Sequence, residues 1–141
     1  MHQVTGGCHC GNITLQVGLT APLEIYHPRR CDCDFCSKHM AAFISDPKGT
    51  LAIQIKDEHA RGIYFQGSNQ AELLLCRNCG VFIGALYALN GRLFGAVNAR
   101  TLELPAKFGS DEGVSPKRLT PTAKAQRWQE LWFADVSLSA R

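Results

Sequence analysis

The chain lacks any apolar run approaching the roughly 18 to 20 residues that a membrane helix needs, which excludes a membrane-spanning helix within it. Met1–Gly7 lacks the basic start and apolar stretch of a secretory signal, so the expected compartment is the cytoplasm and no membrane partner is expected. Charge is also scarce: 19% of the 141 residues are Asp, Glu, Lys or Arg, and the net charge is +3. A phosphate-reading domain gathers far more Lys and Arg on one face, so nucleic acid is not the expected partner. The one basic concentration is late, where Lys117, Arg118, Lys124 and Arg127 follow one another with no acid between them. Low-complexity tracts are missing, and the length suits one domain over 1–141.

Against this plain background stand seven cysteines, and none of them is isolated. Cys8 and Cys10 form Cys-x-Cys, Cys31, Cys33 and Cys36 form Cys-x-Cys-x-x-Cys, and Cys76 and Cys79 form Cys-x-x-Cys. An odd number in a chain with no export signal argues against a disulfide framework. Ligands one or two residues apart can reach one ion from a tight turn, and thiolates suit tetrahedral zinc. An iron–sulfur cluster also takes four thiolates, but its usual spacings differ from these. A redox pair at Cys76 and Cys79 would leave the other five cysteines unexplained.

Glycine follows both pairs, Gly11 after Cys10 and Gly80 after Cys79, as a metal-wrapping turn with positive φ requires. Cys8, Cys10, Cys76 and Cys79 are therefore expected to form a closed structural zinc site joining distant parts of the chain. Cys31, Cys33 and Cys36 have no fourth cysteine, and three protein ligands with a vacant position are the pattern of catalytic zinc. His9, His27, Asp34 or His39 could instead close that position. Two zinc ions are expected, one structural and one catalytic, the second labile because an open site releases its ion more readily.

Three thiolates make zinc a weak Lewis acid and match it to a soft incoming ligand, a thiol captured in its nucleophilic thiolate form. Arg29, Arg30 and Lys38 flank the triplet and could offset its charge or hold an anionic substrate. His39 could move a proton.

Ile13, Leu15, Val17 and Leu19 alternate with Thr14, Gln16 and Gly18, the period of a strand with one buried face; Leu51, Ile53 and Ile55 repeat it. Further strands are expected at Leu23–His27, Ala42–Asp46, Gly62–Gln66, Glu72–Leu75, Val81–Tyr87 and Arg92–Asn98, separated by Gly, Asn, Asp and Pro. Thr120-Pro121 predicts a helix start, and a helix over about Pro121–Phe133 stacks Ala125, Trp128 and Trp132 for packing. Ser110–Lys117 is the expected mobile loop. The fold class is mainly β, a small zinc-stabilised sheet domain with a C-terminal helix.

Gly-Gly-Cys-His-Cys-Gly at Gly6–Gly11, Arg-Cys-Asp-Cys-Asp-Phe-Cys at Arg30–Cys36, Cys-Arg-Asn-Cys-Gly at Cys76–Gly80 and Gly-Ala-Val-Asn within Phe94–Thr101 resemble the glutathione-dependent formaldehyde-activating enzyme family, whose domain centromere protein V shares. The resemblance spans roughly 6–102 and leaves the helix near 121–133 in a C-terminal extension. It implies a β-rich zinc fold, with Cys8, Cys10, Cys76 and Cys79 matching the structural site and Cys31, Cys33 and Cys36 the catalytic one. It also implies a carbon–sulfur lyase that joins glutathione and formaldehyde into S-(hydroxymethyl)glutathione. The shared motifs are ligands and turns, which transfer better than substrates. The expected activity is thus reversible addition of a small thiol, such as glutathione, to an aldehyde such as formaldehyde. The alternative is a non-catalytic zinc-stabilised module whose basic Lys117–Arg127 face binds protein or nucleic acid.

Overall fold

A computed structural model describes residues 1–103 and 107–140. The alternation at Ile13–Leu19 becomes strand β2, with Ile13, Leu15, Val17 and Leu19 all buried and Gln16 exposed. Its neighbours are β1 (His2–Gly7) and β5 (Thr50–Ile55), both antiparallel to it. The last strand, β11 (Asp135–Ala140), adds to β5 in parallel, giving a four-stranded sheet of order β1-β2-β5-β11.

The second sheet has seven strands in the order β10-β3-β4-β9-β8-β7-β6. They are β3 (Arg29–Cys31), β4 (Ala42–Ile44), β6 (Arg61–Tyr64), β7 (Glu72–Cys76), β8 (Phe82–Leu89), β9 (Arg92–Asn98) and β10 (Glu112–Val114). One core joins the two sheets: Leu15, Val17, Leu51 and Ile53 from the first meet Ile44, Leu74, Ile83 and Val97 from the second, with Phe133 fully buried among them. The fold is mainly β, as the sequence periodicity predicts.

Helix α2 (Pro121–Leu131) begins where Thr120 Oγ1 accepts the Ala123 N–H at 3.1 Å and Pro121 occupies the first turn, where its missing N–H costs nothing. It ends because Trp132 turns to extended backbone and Phe133 exchanges two backbone hydrogen bonds with Gly95 of β9, at 2.8 and 3.1 Å. Helix formation therefore stops two residues short of the expected Phe133, where sheet pairing takes over the backbone. Ala125, Trp128 and Trp132 pack into a second apolar cluster with Phe82, Ala85 and Phe94 on the outer face of the larger sheet.

Two segments differ from expectation. Leu23–His27 is not a strand: Leu23–Ile25 forms a single 3-10 turn after Pro22, closed by Tyr26 N–H to the Leu23 carbonyl at 3.0 Å. That turn aims the Tyr26 hydroxyl at Asp46, whose Oδ2 accepts from it at 2.6 Å and from the Thr20 hydroxyl at 2.6 Å. Burial opposes ionisation of Asp46, yet donors from Thr20, Tyr26 and the Lys48 backbone outweigh it and hold the carboxyl down at about 2. The Ser110–Lys117 segment, expected to be mobile, contains β10, which pairs in parallel with β3 and brings Val114 beside Cys31.

Candidate functional site

The two cysteine pairs fold alike. Cys8 N–H donates to the Ile13 carbonyl at 2.9 Å and Cys76 N–H to the Val81 carbonyl at 3.0 Å, five residues ahead in each case. Inside each loop the chain must turn with positive φ, and Gly11 (φ +84°) and Gly80 (φ +83°) supply it without a Cβ penalty. The first loop lies between β1 and β2 and the second between β7 and β8, so their meeting joins the two sheets.

There, Cys8, Cys10, Cys76 and Cys79 place four sulfurs within 4.8 Å of one another. Cys8 Sγ to Cys10 Sγ is 3.7 Å and Cys10 Sγ to Cys76 Sγ is 3.6 Å. Four thiolates at tetrahedral corners of a zinc ion stand roughly 3.8 Å apart, so the spacing fits a metal and is far too long for sulfur–sulfur bonds. The Ile13 N–H reaches Cys8 Sγ at 3.2 Å, a donor of the kind that stabilises a thiolate. An Asn78 hydrogen bond, with help from the Asn12 backbone, lowers exposed Cys10 to about 6, whereas burial raises Cys76 to about 12.

The second cluster, Cys31, Cys33 and Cys36, comes from the end of β3 and the short helix α1 (Asp34–Lys38). Cys33 caps that helix, accepting the Cys36 N–H on its sulfur at 3.4 Å. Its three sulfurs also lie within 4.8 Å of one another, and among the described residues no histidine, carboxylate or further cysteine joins them. A hydrogen bond from Cys36 lowers Cys31 to about 6, while the same contact and burial push Cys36 upward. Cys31 thus ionises before Cys36. Both clusters can hold a metal ion; the first has four protein ligands and the second three.

The four candidates for closing the triplet stand apart from it. His39 is exposed and packs on the Phe35 and Phe82 rings, at 4.6 and 5.3 Å between centroids. His27 faces the Ser110 carbonyl at 2.8 Å, and His9 and Asp34 are exposed.

What does reach the triplet is a cleft of about 140 Å³. Cys31, Cys33 and Cys36 form one end, Phe43, Leu73 and Ala85 the floor, the loop from Gln66 to Ala71 one wall, and α2 the other. The two tryptophans of the chain, Trp128 and Trp132, both line it, their rings stacked at 5.0 Å. Gln66 Nε2 approaches Cys33 Sγ at 3.9 Å.

Of the three cations next to the triplet in sequence, Arg29 lines the cleft and Arg30 and Lys38 do not. Arg30 is exposed at the Asp111 carboxylate, 4.0 Å away, and Lys38 lies on a separate surface with Phe35, Arg61 and Tyr64. Arg29 Nη2 donates to Ser45 Oγ at 2.7 Å, and that hydroxyl donates to the Leu131 carbonyl at 2.7 Å, a relay that fixes the guanidinium against the end of α2. Burial, reinforced by the charge of Arg127, lowers Arg29 to about 10.

Lys117, Lys124 and Arg127 also line the cleft. They belong to the late basic stretch, which therefore turns partly inward onto the cysteine triplet. Lys117 sits 3.9 Å from Asp32, within the triplet loop. None of these cations is among the residues expected at the triplet from the sequence, and the helical spacing of the two tryptophans predicts packing alone. The available signal was Lys124, Arg127 and Trp128 at helical spacing, which places them on one face.

The family model described as glutathione-dependent formaldehyde-activating enzyme matches residues 3–114. A crystal structure of a Rhodobacter sphaeroides protein is similar, with 27% sequence identity and a TM-score of 0.57, over 78% of this chain and 99% of that one.

Proposed function

As the chain belongs to the glutathione-dependent formaldehyde-activating enzyme family, we propose that it joins a small thiol reversibly to an aldehyde, acting as a carbon–sulfur lyase in the reverse direction, with two zinc ions as its metals. The observation that carries this reading is the three-sulfur cluster: Cys31, Cys33 and Cys36 converge with no fourth protein ligand among the described residues, and they open onto a cleft.

Cys8, Cys10, Cys76 and Cys79 hold the structural ion, and Cys31, Cys33 and Cys36 the catalytic one. When bound at the triplet, zinc supplies a fourth position that favours a thiol in its nucleophilic form. The triplet loop and the cleft floor fix where that thiol's body lies, turning a bimolecular addition into one between held partners. Arg29, fixed by Ser45, and the cations of α2 meet the negative charge of such a substrate. In the addition the S–H bond breaks, a C–S bond forms at the carbonyl carbon, and the proton ends on the former carbonyl oxygen. The Gln66 amide, beside Cys33 and in the cleft wall, is the uncharged donor placed to meet that oxygen as it gains charge. His39, away from the cleft lining, has no part in this scheme.

The test is exchange spectroscopy on zinc-loaded protein with glutathione and formaldehyde. Interconversion faster than in protein-free solution is expected, and lost in Cys33→Ser. A rate equal to the uncatalysed one removes the proposal.

A further inference from the structure

Arg29 and Arg127 are both half-buried and line the same cleft, and the Arg127 charge acts on Arg29. Among the described residues neither pairs with a carboxylate; Glu112, the acid that acts on Arg29 from a distance, is exposed. Two partly desolvated cations with no carboxylate partner, their forks lining one space, are the geometry that receives a carboxylate. The Ser45–Leu131 relay holds Arg29 in that orientation before any ligand arrives.

The seat lies beside the sulfurs. Arg29 and Cys31 are alternate residues of β3, so their side chains leave the same face roughly 7 Å apart. Arg127 reaches the same cleft as Cys31 from α2. Between this seat and the floor there is room for about 140 Å³ of ligand. A cavity of roughly 150 Å³ lined by apolar side chains takes a molecule the size of benzene. That space suits a single ring or a short branched chain on Phe43 and Trp128. A tripeptide with two separated carboxylates would extend beyond that space toward solvent. The wall that sets the limit, α2 with Trp132, lies beyond the family-matched residues 3–114.

We propose that the thiol substrate is a compact mercapto carboxylic acid, its one carboxylate seated between Arg29 and Arg127, its apolar body on Phe43 and Trp128, and its sulfur at the Cys31, Cys33 and Cys36 centre. This rests on the reading of that centre as an open thiol site and narrows it from glutathione to a smaller, singly anionic thiol.

The test uses the two indole N–H resonances, since both tryptophans line the cleft. Zinc-loaded full-length protein is titrated with 3-mercaptobenzoate, thiophenol, benzoate and glutathione. The first is expected to bind at least about tenfold more tightly than each of the others, because only it fills seat, floor and sulfur position together. Arg127→Gln is expected to remove that advantage over thiophenol while leaving thiophenol's own affinity unchanged, with an unaltered melting curve showing that the variant is folded. Thiophenol equal to 3-mercaptobenzoate in the unmodified protein overturns the carboxylate seat without recourse to any variant. Glutathione binding most tightly, with catalysed formaldehyde exchange, overturns this inference and leaves the proposed function standing. Benzoate equal to 3-mercaptobenzoate shows that sulfur is not recognised, which overturns the inference together with the open thiol site.

Discussion

The two sulfur clusters are made of one residue type, yet they sit in the fold in opposite ways. The four-sulfur cluster draws on two loops from different sheets, separated by 66 positions between Cys10 and Cys76. The three-sulfur cluster draws on one loop, within six residues, and touches a cleft. A metal in the first closes a long loop and contributes directly to holding the sheets together; a metal in the second adds little to the fold. Under the proposed function, chain separation rather than ligand chemistry divides the fold-holding centre from the catalytic one.

The sharpest way to break that comparison is Cys76→Ser. Cys76 is fully buried at the junction of the sheets, and loss of its metal is expected to abolish cooperative unfolding at ordinary temperature, as read by circular dichroism, since structural zinc is worth about 10 kcal/mol or more. Cys33→Ser keeps a helix-capping oxygen in place of the sulfur. It is expected to lose one equivalent of zinc by atomic absorption while its melting temperature moves by only a few degrees, on the order of 1 kcal/mol. If both variants collapse alike, the distinction between the clusters is wrong.

A smaller effect lies in pH. Whereas Cys76 and Cys36 are raised, Cys10 and Cys31 are each lowered to about 6. Their thiolates persist above that value and are lost as pH falls through it, so every ligand must then release a proton to bind metal. Below about pH 6 the logarithm of zinc affinity should fall with pH along slopes approaching four for the first cluster and three for the second, measured by chelator competition. Equal slopes would mean equal ligand counts. In metal-free protein the same ionisation predicts that iodoacetamide marks exposed Cys10 ahead of half-buried Cys31, and both ahead of Cys36 and Cys76, by mass spectrometry. The smallest effect is Gly80→Ala, which meets no atom within 4 Å and suffers only from its positive φ, costing about 1 kcal/mol in a melting curve.

The two cysteine clusters were legible because each run of cysteines is local: spacing within six residues reports a turn, and seven sulfurs divide only so many ways. Strands β2 and β5 were legible because one face of each is buried, which imposes period two on the sequence. Strand β1 was not, since it is an edge with Val4 as its one buried side chain, and β10 is three residues long. The cleft was invisible for a different reason. Arg29, Phe43, Leu73 and Arg127 come from β3, β4, β7 and α2, and no local pattern announces that these elements share a space. Trp128 and Trp132, 8% and 6% exposed, do pack as the helical spacing indicates; that they also border a ligand-sized space follows from the larger sheet alone.

Both parallel pairings of the fold, β10 on β3 and β11 on β5, are made by the C-terminal part of the chain. During synthesis the two knuckle loops leave the ribosome long before either strand, so the first metal can be captured while the outer borders of both sheets still offer unpaired peptide groups. At roughly 5–20 residues per second, the nascent protein spends a few seconds with those borders bare and available to other chains. Shortening the C-terminus would make that interval permanent and leave both borders open to pairing with other chains.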